Sequence, residues 1–190
     1  MPNWCNNTVV LKHADPDMVK RARAAFIDGR LLDEFIPVPK DLQIVAGSVP
    51  VAEEVEHKAK EEANREKHGY TNWYDFCVNE WGTKWDIGGG DASVDDIEGG
   101  LMLGFDSAWA PPTGAYEKLM EQGFEIEAMY YEPGMAFAGI WDNGNDDYYE
   151  YGGMNSGEIA EALPSELDEA FGISESAAEW EAEQAEEEEE

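Results

Sequence analysis

The side chains here with the most chemical capacity are carboxylates. Glu125, Glu127 and Tyr131 alternate along one predicted strand, and Asp142, Asp146, Asp147 and Glu150 follow along the next hairpin. Carboxylates so placed could hold a divalent cation, work as an acid–base pair, or present a negative surface to a basic partner. The run 142–147 (Asp-Asn-Gly-Asn-Asp-Asp) has oxygen ligands suited to Ca²⁺. It lacks the glycine at position six and the glutamate at position twelve of a calcium-binding loop, so a turn that exposes acids is the simpler reading. The acids are too numerous for any pair to stand out as general acid and base.

Other chemistries find little support. Cys5 and Cys77 have no Cys-x-x-Cys spacing and no neighbouring histidine, which reads as two free thiols. His57 and His68 have no second His or Cys at ligand spacing, and no Gly-x-Ser-x-Gly element occurs. Gly88, Gly89 and Gly90 resemble a phosphate loop in glycine content alone. No Lys-Ser/Thr follows them, and Asp91, Asp95 and Asp96 would repel phosphate. No catalytic residue, metal ligand or cofactor is assigned, and the sequence favours a protein that is not an enzyme. A metal-dependent enzyme built from the acids of 91–96 and 142–147 is the alternative.

Charge is the dominant property of the chain. Its 190 residues carry 43 acids against 12 bases, a formal charge of −31, and the asymmetry is steep. Residues 119–190 hold 22 of the acids and no Lys or Arg. Such a balance opposes direct binding to nucleic acid, which needs clustered Lys and Arg, and opposes anionic membranes. No stretch approaches the roughly 18 apolar residues of a membrane-spanning helix, and the opening residues lack the basic and apolar regions of a secretory signal. The expected location is the cytoplasm.

The elements that must position these acids follow from periodicity. Residues 3–13 read as a first strand. Asp15-Pro16 then opens a helix with an apolar stripe of Met18, Val19, Ala22, Ala25 and Phe26. Residues 31–39 contain two prolines and read as an extended connector. A charged helix after Pro50 reads as a solvent-exposed insertion, spanning about 50–82 with the segment that follows. Residues 72–86 (NWYDFCVNEWGTKWD) are the aromatic centre. Trp73, Phe76, Cys77 and Trp81 form one helical stripe, Gly82 stops the helix, and Trp85 and Ile87 are expected on one face of a short extended run. Residues 88–100 read as a flexible acidic loop. Leu101, Leu103 and Phe105 alternate as a strand, Pro112 opens a helix, and residues 124–131 and 135–141 form a hairpin. Asp142-Asn143-Gly144 turns into one more strand.

The predicted fold is α+β: a ferredoxin-like antiparallel sheet with helices on one face, a helical insertion and an added hairpin, occupying residues 1–153. Residues 154–190 form an acidic C-terminal extension, helical in part and otherwise disordered.

The stretches MPNWCNN, NWYDFCVNEWGTKWD, LMLGFDSAWAPP and YYEPGMAFAGIW resemble the YubB-like family, over roughly residues 2–153. That resemblance implies a ferredoxin-like domain of bacterial, plasmid or phage origin without an assigned activity, and it carries over no catalytic residues. The acidic extension departs from the family pattern.

The expected function is therefore binding. Carboxylates along strands can imitate the phosphates of DNA, since a strand's rise of about 3.3 Å per residue is close to the 3.4 Å per nucleotide of one DNA strand. Glu125, Glu127, Tyr131, Asp142, Asp146, Asp147 and Glu150 are the expected protein-binding surface. The expected partner is a basic host protein such as a defence nuclease or another DNA-handling enzyme. A passive domain whose acidic tail recruits the partner, with Trp180 as anchor, is a further alternative.

Overall fold

A computed structural model of the chain describes residues 3–188. Six antiparallel strands form one sheet: β1 (Trp4–His13), β2 (Ser93–Ile97), β3 (Gly100–Ala108), β4 (Phe124–Glu132), β5 (Phe137–Asp142) and β6 (Asn145–Glu150), in the order β2-β3-β1-β4-β5-β6. The first four have the ferredoxin-like arrangement, and β5 and β6 extend the sheet beyond β4. The β5–β6 turn at Asn143-Gly144 has φ of 44° and 100°, the double positive φ of the tight hairpin turn that Asn-Gly favours.

One face of the sheet carries Val9, Leu11, Leu101, Leu103, Phe105, Phe124, Ile126, Ala128 and Trp141. Four helices cover it: α1 (Pro16–Ile27), α2 (Leu31–Phe35), α4 (Trp73–Glu80) and α5 (Thr113–Glu121). The helix α3 (Glu54–His68) stands off this core as an exposed insertion. It buries Asn64, whose Nδ2 donates to the carbonyls of Asp41 at 2.9 Å and Thr71 at 3.0 Å.

The aromatic segment behaves as its spacing predicts up to Gly82. Asn72 caps α4, accepting from the backbone N–H groups of Tyr74 and Asp75. Phe76, Cys77 and Trp81 are buried, and Trp81 Nε1 donates to the Ile36 carbonyl at 3.0 Å. Beyond Gly82 the structure departs from expectation. Residues 83–87 form no strand, and Trp85 is 40% exposed while Ile87 is buried. The physical reason is Asp86. Its carboxylate accepts from the N–H groups of Leu32, Asp33 and Ile87 at 2.7–2.8 Å, which fixes the segment against the start of α2. The same contact explains why residues 31–35 are helical despite the prolines that follow. An acid from elsewhere in the chain satisfies the orphan donors of that short helix.

Two further corrections concern segments read as loose. The glycine stretch is packed rather than flexible at Gly88, where a Cβ would lie 2.1 Å from the carbonyl oxygen of Phe26. Strand β2 then pairs Ser93–Ile97 with β3. The acidic extension, expected to be helical in part and otherwise disordered, is helical over most of residues 154–188, and residues 189–190 lie outside the described residues. Three helices, α6 (Ser156–Ala162), α7 (Ser165–Phe171) and α8 (Ile173–Glu188), pack on the second face of the sheet. Ile159, Leu163, Leu167 and Ile173 bury against Ala138 and Tyr151, with Met129, Tyr131, Ile140 and Tyr149 at the edge of this cluster. The sheet therefore has helices on both faces.

Candidate interaction surface

Register decides which of the seven expected surface residues share a face. Glu127 pairs with Asp142, Tyr131 with Ala138, and Ile140 with Asp147, so Glu125, Glu127, Tyr131, Asp142 and Asp147 lie on the face toward α6–α8. Asp146 pairs with Trp141 and Glu150 with Phe137, so these two project on the opposite face. The set is not one continuous surface. A strand that alternates faces at every residue divides Asp146 from Asp147 however close they are in sequence.

Tyr131 is a packing residue. Its ring stacks on Tyr151 at 6.2 Å and on Phe171 at 5.6 Å between centroids, inside the second hydrophobic cluster. Asp146 has a structural partner as well. It accepts from the Tyr130 hydroxyl at 2.6 Å, and burial together with that carboxylate pushes the phenol far above its usual range. Glu125, Glu127, Asp142, Asp147 and Glu150 are exposed. Glu132 is fully buried, where its carboxylate accepts from the N–H groups of Gly134 at 2.9 Å and Met135 at 2.6 Å and shapes the β4–β5 turn.

The C-terminal helices add acids to this side of the molecule. Glu158, Glu161, Glu166, Glu169, Glu175, Glu179, Glu183 and Glu186 are exposed. Glu181 is the exception, since it ties α8 to α6. Its carboxylate accepts from the Ser156 N–H at 2.7 Å and from the Ser156 hydroxyl at 2.8 Å. Every ion pair among the described residues lies within residues 1–118, from Lys20–Asp17 to Lys118–Glu80. The acids of the second half thus share a region with no compensating base.

The cysteines are buried and free, and desolvation pushes both thiols up to about 12. They have the character of inert core thiols. Among the described residues no group of three or more His, Cys, Asp or Glu side chains is arranged to hold a metal ion, and the acids of 91–96 and 142–147 do not converge. No helix among them is long and apolar enough to cross a membrane.

A second feature escaped the reading from sequence. Trp4, Trp85 and Trp109 are each about 40% exposed. Trp4 lies 5.8 Å from Trp85 between ring centroids, and Trp109 lies 6.3 Å from Tyr74. The Lys84 ammonium sits among them, 4.6 Å from the Trp85 centroid, 5.3 Å from Trp109 and 5.7 Å from Tyr74. Trp109 holds its place with a φ of 70°, rare for a bulky residue, while its N–H donates to the Asn3 carbonyl at 2.9 Å. The signal in the sequence was the count of tryptophans between 73 and 109.

Fold and surface together define an α+β protein with a ferredoxin-like antiparallel sheet, an appended hairpin and a strongly acidic C-terminal half. No family model matches the sequence, and no curated protein matches it. Among solved structures it is similar to the crystal structure of a protein api92 from Yersinia pseudotuberculosis, of family model DUF1281. That match has 14% identity and a TM-score of 0.42, over 80% of this chain and 99% of that chain.

Proposed function

We propose that this is a non-enzymatic binding protein of phage or plasmid type that occupies a basic surface on a host protein, as a DNA mimic directed at a defence or DNA-handling enzyme. The carrying observation is the block of exposed carboxylates on β4–β6 and α6–α8 without a single ion pair. A domain that needed these acids only for solubility could intersperse them with bases, as residues 1–118 do. On α8, Glu175, Glu179 and Glu183 recur every four residues, a rise of about 6 Å per step, so that helix and the strands both present charges in rows. Rows of charge complement a groove lined by Lys and Arg.

The test is affinity capture from a bacterial lysate at low and at high salt. The reading expects DNA-binding proteins retained at about 0.05 M salt and released by about 0.5 M, because contacts between exposed charges are screened within a Debye length. Retention of no DNA-binding protein, or retention indifferent to salt, would overturn it.

A further inference from the structure

The face of the sheet that bears α6–α8 is only partly covered. The helices lie over β4–β6, and across β1 and β3 the face opens into a cleft of about 560 Å³. Trp4 and Trp85 wall it on one side and Phe171 of α7 on the other, with Asn6, Thr8 and Gly104 along the strands between. A second cleft of about 450 Å³ adjoins it at Thr8 and runs beside Met129 and Ile140 to Glu166 of α7.

The lining has a consistent chemistry. Asp91 and Asp106 are exposed carboxylates in the first cleft, and Glu127, Asp142 and Glu166 are exposed in the second. None of the five is in an ion pair, and no Lys or Arg lines either cleft. Asp86, also in the first, is already committed to three backbone N–H groups. Asn7 belongs to the same lining. Its side chain turns to the opposite face of the sheet, where Nδ2 donates to the Cys5 carbonyl at 2.7 Å and to the Ser107 hydroxyl at 2.9 Å. The aromatic wall already carries a cation, since the Lys84 ammonium lies 4.6 Å from the Trp85 centroid.

We infer that this groove seats an extended arginine-bearing segment of the protein partner, with a guanidinium against Trp4 and Trp85 and its N–H groups on Asp91 and Asp106. The inference rests on the proposed function and locates where the basic partner is read. Charge complementarity selects the occupant: unpaired carboxylates beside indole rings offer a cation both Coulombic and ring-face attraction. The planar guanidinium is favoured over a lysine ammonium because it stacks on an indole while donating two N–H groups to one carboxylate. An extended segment suits the groove because its two parts follow one another across neighbouring strands.

The probes are a nine-residue peptide of alternating Arg and Ser, its Lys counterpart and a neutral maltopentaose, titrated into the full chain by calorimetry. The Arg peptide should bind several-fold more tightly than the Lys peptide. The double variant Asp91→Asn/Asp106→Asn should weaken it roughly tenfold, as should Trp85→Leu. Glu54→Gln/Glu66→Gln on the exposed insertion helix α3 removes the same charge from two unpaired acids away from the groove and should change affinity by less than about twofold. Circular dichroism and a thermal melt establish that each variant is folded, and the aspartate pair serves if Trp85→Leu is not. An equal loss from the α3 variant, no binding of the Arg peptide, or displacement of that peptide by maltopentaose would overturn the inference. If the groove variants still capture a basic protein unchanged and in a salt-dependent way, the groove assignment falls and the broader reading stands.

Discussion

Single residues divide here into those whose charge is consumed internally and those whose charge is offered outward. Asp86 is consumed. Burial raises its carboxyl above the usual 3.8, against three backbone N–H groups that pull the other way. Asp41 is exposed and is held below 3.8 by the hydrogen bonds from Lys67 and His68. A carboxyl-carbon NMR titration should therefore show Asp86 with the higher midpoint of the two. A raised folded pKa means that the stability due to Asp86 protonation is fully present below its unfolded value and is lost as pH rises through the folded one. Asp86→Ala should uncap α2 at neutral pH and cost about 1–2 kcal/mol, measured by urea unfolding. The thiols give a second check. With Cys5 and Cys77 buried and pushed up to about 12, neither should react with a thiol reagent at pH 8 in the folded protein, and both should react after denaturation. Rapid labelling of either in the native state would contradict their placement.

At the scale of elements, the two faces of the sheet are stabilised by different parts of the chain. Trp81 joins α4 to the first core and hydrogen-bonds to Ile36, so Trp81→Ala should cost about 3–5 kcal/mol. Leu167 of α7 is the fully buried centre of the second cluster, and Leu167→Ala should cost about 2–5 kcal/mol, both read from denaturant midpoints. A near-neutral Leu167→Ala would mean that α6–α8 are only loosely attached. Truncation after Gly153 would not simply remove a passive tail, because it would also uncover Tyr131, Ile140 and Tyr149. A partner lost on truncation therefore fails to separate a recruiting tail from a binding face, and point changes on α8 are the cleaner tool.

Element periodicity also marks what the sequence could convey. Three of the four strands of the ferredoxin-like unit (β1, β3 and β4), the appended hairpin, Asp15 at the start of α1 and the α4 stripe were legible because each announces itself over a few neighbouring residues. The short helix α2 was not, because its cap arrives from Asp86, more than fifty positions away. Strand β2 was hidden by glycines and aspartates that suit a loop, and its pairing with β3 overrides that preference. The second core was missed because Ile159, Leu163, Leu167 and Ile173 are sparse among glutamates. Their value appears only when the half-apolar face of β4 and β5 lies beneath them. Of the expected surface, the six exposed acids were readable from alternation, whereas the partial burial of Tyr131 and the commitment of Asp146 to Tyr130 depend on tertiary partners.

For the whole molecule the governing fact is the segregation of charge. All 12 bases lie within residues 1–118, eight of them paired with acids and Lys84 set against the aromatic cluster, whereas the side built from residues 119–190 carries 22 of the 43 acids and no base. The central claim is that this side stands in for DNA on a basic host protein. The most direct measurement takes one captured DNA-binding protein, purified, and titrates the complex with duplex DNA while following both components. The account predicts mutually exclusive binding: DNA displaces the acidic protein, and the log of the complex's association constant falls steeply with the log of salt concentration. A stable ternary complex with DNA, or an association constant that does not change with salt, would contradict it.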